Sequence, residues 1–199
     1  MAVLMILDWK GVSAGDYERV NEQMGIRSDA DAPEGLITHT AAVTEDGELV
    51  VVDLWESEQA LRRFAEARLM PAVRELELPQ SQPRILPVHN RLRGSAEEAN
   101  VLILLELPDA DTAAYDRMTA DMPGHATTDG AHPAHDHVAA VDGDTLVVAD
   151  IWPSMEAFGQ FADEEIGPAA GKHGVDVGSM RQRTGRVHNR LEGRTQAEA

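Results

Sequence analysis

The chain contains no cysteine. Disulfides, thiolate metal sites and cysteine nucleophiles are therefore excluded. Basic residues are scarce: 17 Lys and Arg stand against 35 Asp and Glu, for a formal charge of −18. Such a field repels phosphate backbones and anionic lipid, so neither nucleic acid nor a membrane is expected as a partner. The acidity reads otherwise as a solvated surface that aids solubility. Long apolar runs are missing too, and no stretch approaches the roughly 18 residues of a membrane helix. The opening Met1-Ala2-Val3-Leu4-Met5-Ile6-Leu7 has an apolar run without a basic leader or a small-residue cleavage site. It reads as a first strand and not as a signal peptide. A cytoplasmic location is expected. No Gly-rich phosphate loop is present, so no nucleotide cofactor is expected.

What the chain does have is a repeat. Val3-Leu4-Met5-Ile6-Leu7 returns as Val101-Leu102-Ile103-Leu104-Leu105. Tyr17 and Met24 return as Tyr115 and Met122, and His39-Thr40-Ala41-Ala42-Val43 as His137-Val138-Ala139-Ala140-Val141. Asp53-Leu54-Trp55-Glu56-Ser57 returns as Asp150-Ile151-Trp152-Pro153-Ser154, and Phe64 as Phe161. The sharpest match is Val88-His89-Asn90-Arg91-Leu92 with Val187-His188-Asn189-Arg190-Leu191, each followed two residues on by Gly94 or Gly193. The order is kept throughout, which chance does not produce. The repeat divides the chain into a first unit, 1–94, a short polar linker, 95–100, a second unit, 101–193, and a tail, 194–199.

Each copy has one pattern. Val3 to Leu7 is long enough for a strand and too short for a buried helix. Ser13-Ala14-Gly15-Asp16 resembles a capping box, with Tyr17, Val20 and Met24 following at helical spacing. Leu36 to Val43 and Leu49 to Trp55 are strand-like, joined by Glu45-Asp46-Gly47. In the second copy Asp142-Gly143 suits a tight type I′ turn. Ser57 caps a helix carrying Ala60, Leu61, Phe64, Leu69 and Val73, and Arg84 to His89 is the last strand. The order β-α-β-β-α-β is that of a ferredoxin-like unit, with helices on one face of its sheet. The other face needs a cover, and the second copy is the natural one. An internal pair of this kind needs no further dimer in order to fold. The second copy's long helix carries Gly159, Gly167 and Gly171 where its partner has Arg62, Met70 and Arg74, so it is expected to be looser or broken.

At Trp55-Glu56-Ser57-Glu58-Gln59-Ala60-Leu61-Arg62-Arg63-Phe64 the chain resembles the dimeric α/β-barrel superfamily, in its antibiotic-biosynthesis-monooxygenase-like branch. Members of that branch often carry Trp-x-Ser near the end of the third strand, running into an amphipathic helix. The resemblance covers nearly the whole chain, twice. It implies an α+β fold of two tandem ferredoxin-like units forming an intramolecular dimeric α/β barrel. Relatives include cofactor-free quinone-forming monooxygenases, haem-degrading enzymes, polyketide cyclases and isomerases, so the fold alone fixes no activity. Two departures matter. Many monooxygenase-type members place a His where this chain has Phe64 and Phe161. The histidine and first-strand asparagine shared by haem-degrading members are not evident, since the first strands end Leu7-Asp8 and Leu105-Glu106 and the first copy's helix holds no His, so haem degradation is not expected.

The residues that carry chemistry follow from the repeat. His39 and His137 sit inside apolar strands, and Asp53 and Asp150 lie on the neighbouring strand of the same hairpin. If each pair shares a sheet face, the carboxylate holds the imidazole in one tautomer and raises its basicity. The sequence does not fix that parity, because a one-residue slip flips the face. Trp55 and Trp152 lie two residues on, on the same face as the aspartates. His39, His137, Asp53 and Asp150 are the catalytic candidates, with structural hydrogen bonding of a buried His as the alternative. Trp55, Trp152, Tyr17, Tyr115, His89, His188, Asn90 and Asn189 are the candidates for substrate contact. The second copy also carries His125, His132, His135 and His137 close together. His135 and His137 share a face if both are in a strand, with His132, Asp136 or Asp150 as a third ligand. The spacing matches no metalloenzyme signature, so a His-rich loop without metal is the expectation, with metal binding as the alternative.

Two functions are expected. The first is a cofactor-independent monooxygenase or a polyketide-cyclase-type enzyme acting on an aromatic or polyketide-like small molecule, with a His general base. The second is a non-catalytic small-ligand-binding or stress-associated module with the same pocket. An apolar pocket containing His and its carboxylate favours the enzyme; a site packed solid favours the module.

Overall fold

The computed structural model describes residues 1–125 and 130–193. The tail at 194–199 lies outside the described residues. The first repeat runs β1 (Val3–Trp9), α1 (Ala14–Met24), β2 (Leu36–Thr44), β3 (Leu49–Trp55), α2 (Glu58–Phe64), α3 (Met70–Glu75) and β4 (Arg84–Arg93). The second runs β5 (Val101–Leu107), α4 (Thr112–Thr119), β6 (Asp136–Asp142), β7 (Thr145–Trp152), α5 (Met155–Phe161), α6 (Gly167–His173) and β8 (Arg181–Glu192). Each repeat thus has the β-α-β-β-α-β order its sequence implies.

Local chemistry explains these elements. Ser13 Oγ caps α1 by accepting from the Asp16 amide, and the Asp16 carboxylate accepts from the Ser13 backbone N–H, a complete capping box. Gly25, at φ 70°, ends the helix in the left-handed region, where glycine carries no steric penalty. Ser57 and Ser154 cap α2 and α5 by accepting from the Ala60 and Ala157 amides, without a return bond. A single π-turn, Ala65–Leu69, joins α2 to α3 without a break, and Ala162–Ile166 does the same between α5 and α6. The second long helix is therefore as continuous as the first, contrary to the expectation from its glycines. Nothing lies within 4 Å of a Cβ placed at Gly159 or Gly171. Their cost is one of propensity only, and the buried Phe158, Phe161, Ala169 and Ala170 outweigh it. The β6–β7 turn also differs. Asp142 pairs with Thr145, and of the two loop residues only Gly143 has positive φ, 63°, as type II′ requires and type I′ does not.

The chain forms two compact units whose limits do not follow the repeat. One comprises Met1–Leu86 with the chain from Gly185 on, and the other Pro87–Thr184. The final strand of each repeat therefore serves the other unit. In the first unit the sheet order is β1-β3-β2-β8, with Thr44 opposite Gly185 and Thr38 opposite Glu192. In the second it is β5-β7-β6-β4, with Ala140 opposite Val88 and Asp136 opposite Arg93. The stretch 95–100 belongs to the second unit as well. Ser95 N–H donates to His132 O at 2.8 Å and Asn100 N–H to Trp152 O at 3.0 Å.

Each unit has its own core. In the first, Met5, Leu7 and Trp9 from β1 meet Tyr17 and Val20 of α1 and Leu61 and Val73 of the long helix. In the second, Ile103, Leu105 and Leu107 meet Tyr115, Met118, Phe158 and Phe161. The alternate residues of the first strands, such as Leu4, Ile6, Leu102 and Leu104, are buried too, so these strands are covered on both faces.

Candidate functional site

The twelve candidate residues gather into two clusters of six, one in each unit. In the first, His39 on β2 lies directly opposite Asp53 on β3. Opposed residues of an antiparallel pair share a face, so the parity the sequence left open favours contact. His39 Nδ1 is 2.7 Å from Asp53 Oδ1. A carboxylate only accepts, so the proton between them belongs to the imidazole, and Nε2 of the neutral ring is left with its lone pair. Tyr17 Oη lies 2.6 Å from that Nε2, and its ring stacks on the imidazole. Trp55 Nε1 donates to the other oxygen, Asp53 Oδ2, at 3.2 Å. The result is a fixed chain of tryptophan, carboxylate, imidazole and phenol.

His188 and Asn189 arrive on β8. They lie well inside that strand and not at its exit, as do His89 and Asn90 in β4. His188 meets the Tyr17 ring edge-on and its Nε2 lies 3.0 Å from Glu18 Oε1. Asn189 Oδ1 is buried with no hydrogen-bond partner among the described residues.

Tyr17, His39, Asp53 and Trp55 border an apolar cavity of about 50 Å³, whereas His188 and Asn189 line a separate surface pocket beside Tyr17. Met5, Tyr17, His39, Trp55, Phe64 and Leu69 are among its walls. Phe64 and Leu69 bracket the π-turn, a departure from regular helix that recurs at functional sites. Burial pushes the Tyr17 phenol well above its usual range, and the charges of Asp53 and Glu18 add to this against a hydrogen bond with Asn21. Tyr17 is thus a hydrogen-bond donor at any ordinary pH.

The second cluster repeats the frame and fills the space. His137 faces Asp150 across β6 and β7, with Nδ1 to Oδ1 at 2.7 Å, and Trp152 Nε1 donates to Asp150 Oδ2 at 3.3 Å. Burial opposes ionisation of Asp150, yet its interactions with His137 hold the carboxyl below the usual range. Tyr115 Oη sits 2.8 Å from His137 Nε2 and accepts from Asn90 Nδ2 at 2.9 Å. His89 meets the Tyr115 ring edge-on, with Nε2 at 2.7 Å from Asp116 Oδ1.

Two further imidazoles enter here. His125 Nε2 lies 3.0 Å from Tyr115 Oη and 3.1 Å from His137 Nε2. His132 packs between the rings of His137, Trp152 and Phe161. In the first unit the equivalent residues, His39, Trp55 and Phe64, border the open cavity. Burial pushes His125 down to about 4 and His132 down to about 3, so both are neutral at pH 7. The sequence pairing of His135 with His137 does not form. His135 precedes β6, and its Nδ1 lies 2.9 Å from Ala96 O. The useful signal was that His125 and His132 have no counterparts in the first repeat, but the path of the loop between α4 and β6 is not written in any periodicity.

No known sequence family matches the chain, and no curated protein matches it. Solved structures do. A candidate monooxygenase from Fusobacterium nucleatum matches with a TM-score of 0.69 at 8% identity, over 96% of this chain and 94% of that one. Another from Lactobacillus acidophilus matches with a TM-score of 0.67 at 10% identity, over 96% of each chain. An anthrone oxidase-like protein matches with a TM-score of 0.55 at 17% identity, over 98% of this chain and 94% of that one. At such identities the likeness defines the fold. It is an α+β fold of two tandem ferredoxin-like units. Among the described residues no helix is long and apolar enough to cross a membrane.

Proposed function

We propose that the first unit is the working site of a cytoplasmic, cofactor-independent monooxygenase or cyclase-type enzyme acting on an aromatic or polyketide-like small molecule. The observation that carries this reading is the His39–Asp53 pair, capped by Tyr17, opening onto an apolar cavity. His39 Nε2 is the base. Substrate entering the cavity takes the place of the Tyr17 hydroxyl at Nε2 and gives up an acidic C–H proton to it. Asp53 stabilises the imidazolium that forms, and the released Tyr17 hydroxyl donates to the oxyanion left on the substrate. The dry walls keep water from that anion. The electron-rich anion then reduces oxygen, or closes on a carbonyl of its own chain. For an anthrone the oxidation balances as anthrone plus O₂ giving anthraquinone plus water.

A second reading has an observation of its own. The cavity, about 50 Å³, is far smaller than the roughly 300–1,000 Å³ of ordinary ligand pockets. A polycyclic substrate enters only if the wall beside Phe64 and Leu69 opens, and a non-catalytic module needs no such opening. Oxygen uptake with anthrone as probe, alongside quenching of tryptophan fluorescence, separates the two. Oxygen consumption matching quinone formation, and lost in His39→Ala, supports the enzyme. Saturable quenching without uptake assigns a binding module. Neither signal sinks both readings.

A further inference from the structure

The second unit holds a cluster that the proposed chemistry does not use. His125, His132 and His137 are at most 4% exposed, and each brings one ring nitrogen within 4.8 Å of the others. We propose that this triad is a binding site for a first-row divalent metal ion of the zinc class, held by the imidazoles of His125, His132 and His137. The inference is independent of the reading of the first unit.

The donor chemistry fits. Three imidazoles are a recurrent set for zinc and its neighbours, and they ligate only when neutral. Ligands at roughly 2.0–2.1 Å from one tetrahedral ion stand roughly 3.4 Å apart. His125 Nε2 and His137 Nε2 are already 3.1 Å apart. The outer partner is in place as well. His137 donates through Nδ1 to the buried Asp150, the carboxylate–histidine arrangement that fixes a ligand's tautomer and raises its basicity. Asp150 also supplies negative charge to offset the cation.

His132 is the ligand that must change most. Ala134 N–H donates to its Nδ1 at 3.1 Å, which leaves the proton of the neutral ring on Nε2. Ligation through Nε2 requires that contact to be given up. An entry path exists, since His125 and Tyr115 border an open pocket whose rim carries Asp116 and Asp121. The first unit has no such set. Counting from the Met24/Met122 and His39/His137 matches, Arg27 and Glu34 stand where the second has His125 and His132.

The test uses the whole chain, stripped with a chelator and dialysed against zinc(II), with cobalt(II) as a spectroscopic probe. The expected result is one equivalent of tight zinc per chain, a raised Tm reversed by chelator, and a cobalt spectrum typical of nitrogen ligands. His125→Gln and His132→Phe are expected to lose at least about 10-fold in affinity, and Asp150→Asn roughly 10-fold. His135→Ala and His173→Ala should keep it. Wild-type protein that takes up less than one zinc overturns the proposal without reference to any variant. So does full affinity in a His125→Gln or His132→Phe protein whose circular dichroism is native. Loss of uptake in His135→Ala or His173→Ala would place the metal elsewhere and overturn it too.

Discussion

His39 Nδ1 stands 2.7 Å from Asp53 Oδ1, the two residues facing each other across one rung of the β2–β3 ladder. This contact orients Nε2 toward Tyr17 and the cavity. Removal of the base and removal of its orienting partner should therefore differ in kind. His39→Ala is expected to lower kcat by about 100-fold or more with the fold intact. Asp53→Asn should lower kcat with little change in KM, because Asp53 acts on the base and not on the bound ligand. Steady-state kinetics and a circular dichroism melt check both. Full activity in His39→Ala would make the pair structural.

The two tyrosines of the chain give a pH test. Both phenols are held above their ordinary range, chiefly by burial. The folded state thus keeps these protons where the unfolded chain, with a pKa of about 10, loses them. The associated stability is fully present below about pH 10 and is lost as pH rises towards the folded values. Ultraviolet titration should show no tyrosinate below about pH 10, and its appearance should coincide with unfolding. A tyrosine titrating near 10 in folded protein would contradict the burial.

Glycines separate into two kinds. A Cβ on Gly94 would lie 1.8 Å from Ala134 O, and one on Gly193 1.7 Å from Leu36 O. These duplicated positions are points of backbone contact. Gly94→Ala and Gly193→Ala should each destabilise by about 1–3 kcal/mol or more. Gly159→Ala and Gly171→Ala meet open space and should each stabilise by about 1 kcal/mol. Urea midpoints for the four variants read both signs.

Much of this was legible in the sequence. The duplication, the element order and the His–Asp–Trp frame follow from apolar periodicity and from residues that recur in step. The register that joins His39 to Asp53 was not, because period-two alternation in a strand buried on both faces gives no parity. The trade of last strands was also hidden, since similar repeats offer β4 and β8 comparable neighbours in either unit. His125 and His132 were visible as a local excess of histidine, but only the loop path brings them to His137. The glycine-rich helix misled because propensity was weighed without the apolar face it buries.

The placement of β4 and β8 has a consequence for the history of the chain. A gene cut between its halves would encode two fragments, each lacking the strand that satisfies the outer edge of its own β2 or β6. Open edges of that kind recruit whatever strand is at hand. Once fused, the halves became hostages to each other's folding while remaining free to drift in their interiors. That combination allows one copy to keep an empty hollow and the other to fill its own with imidazoles.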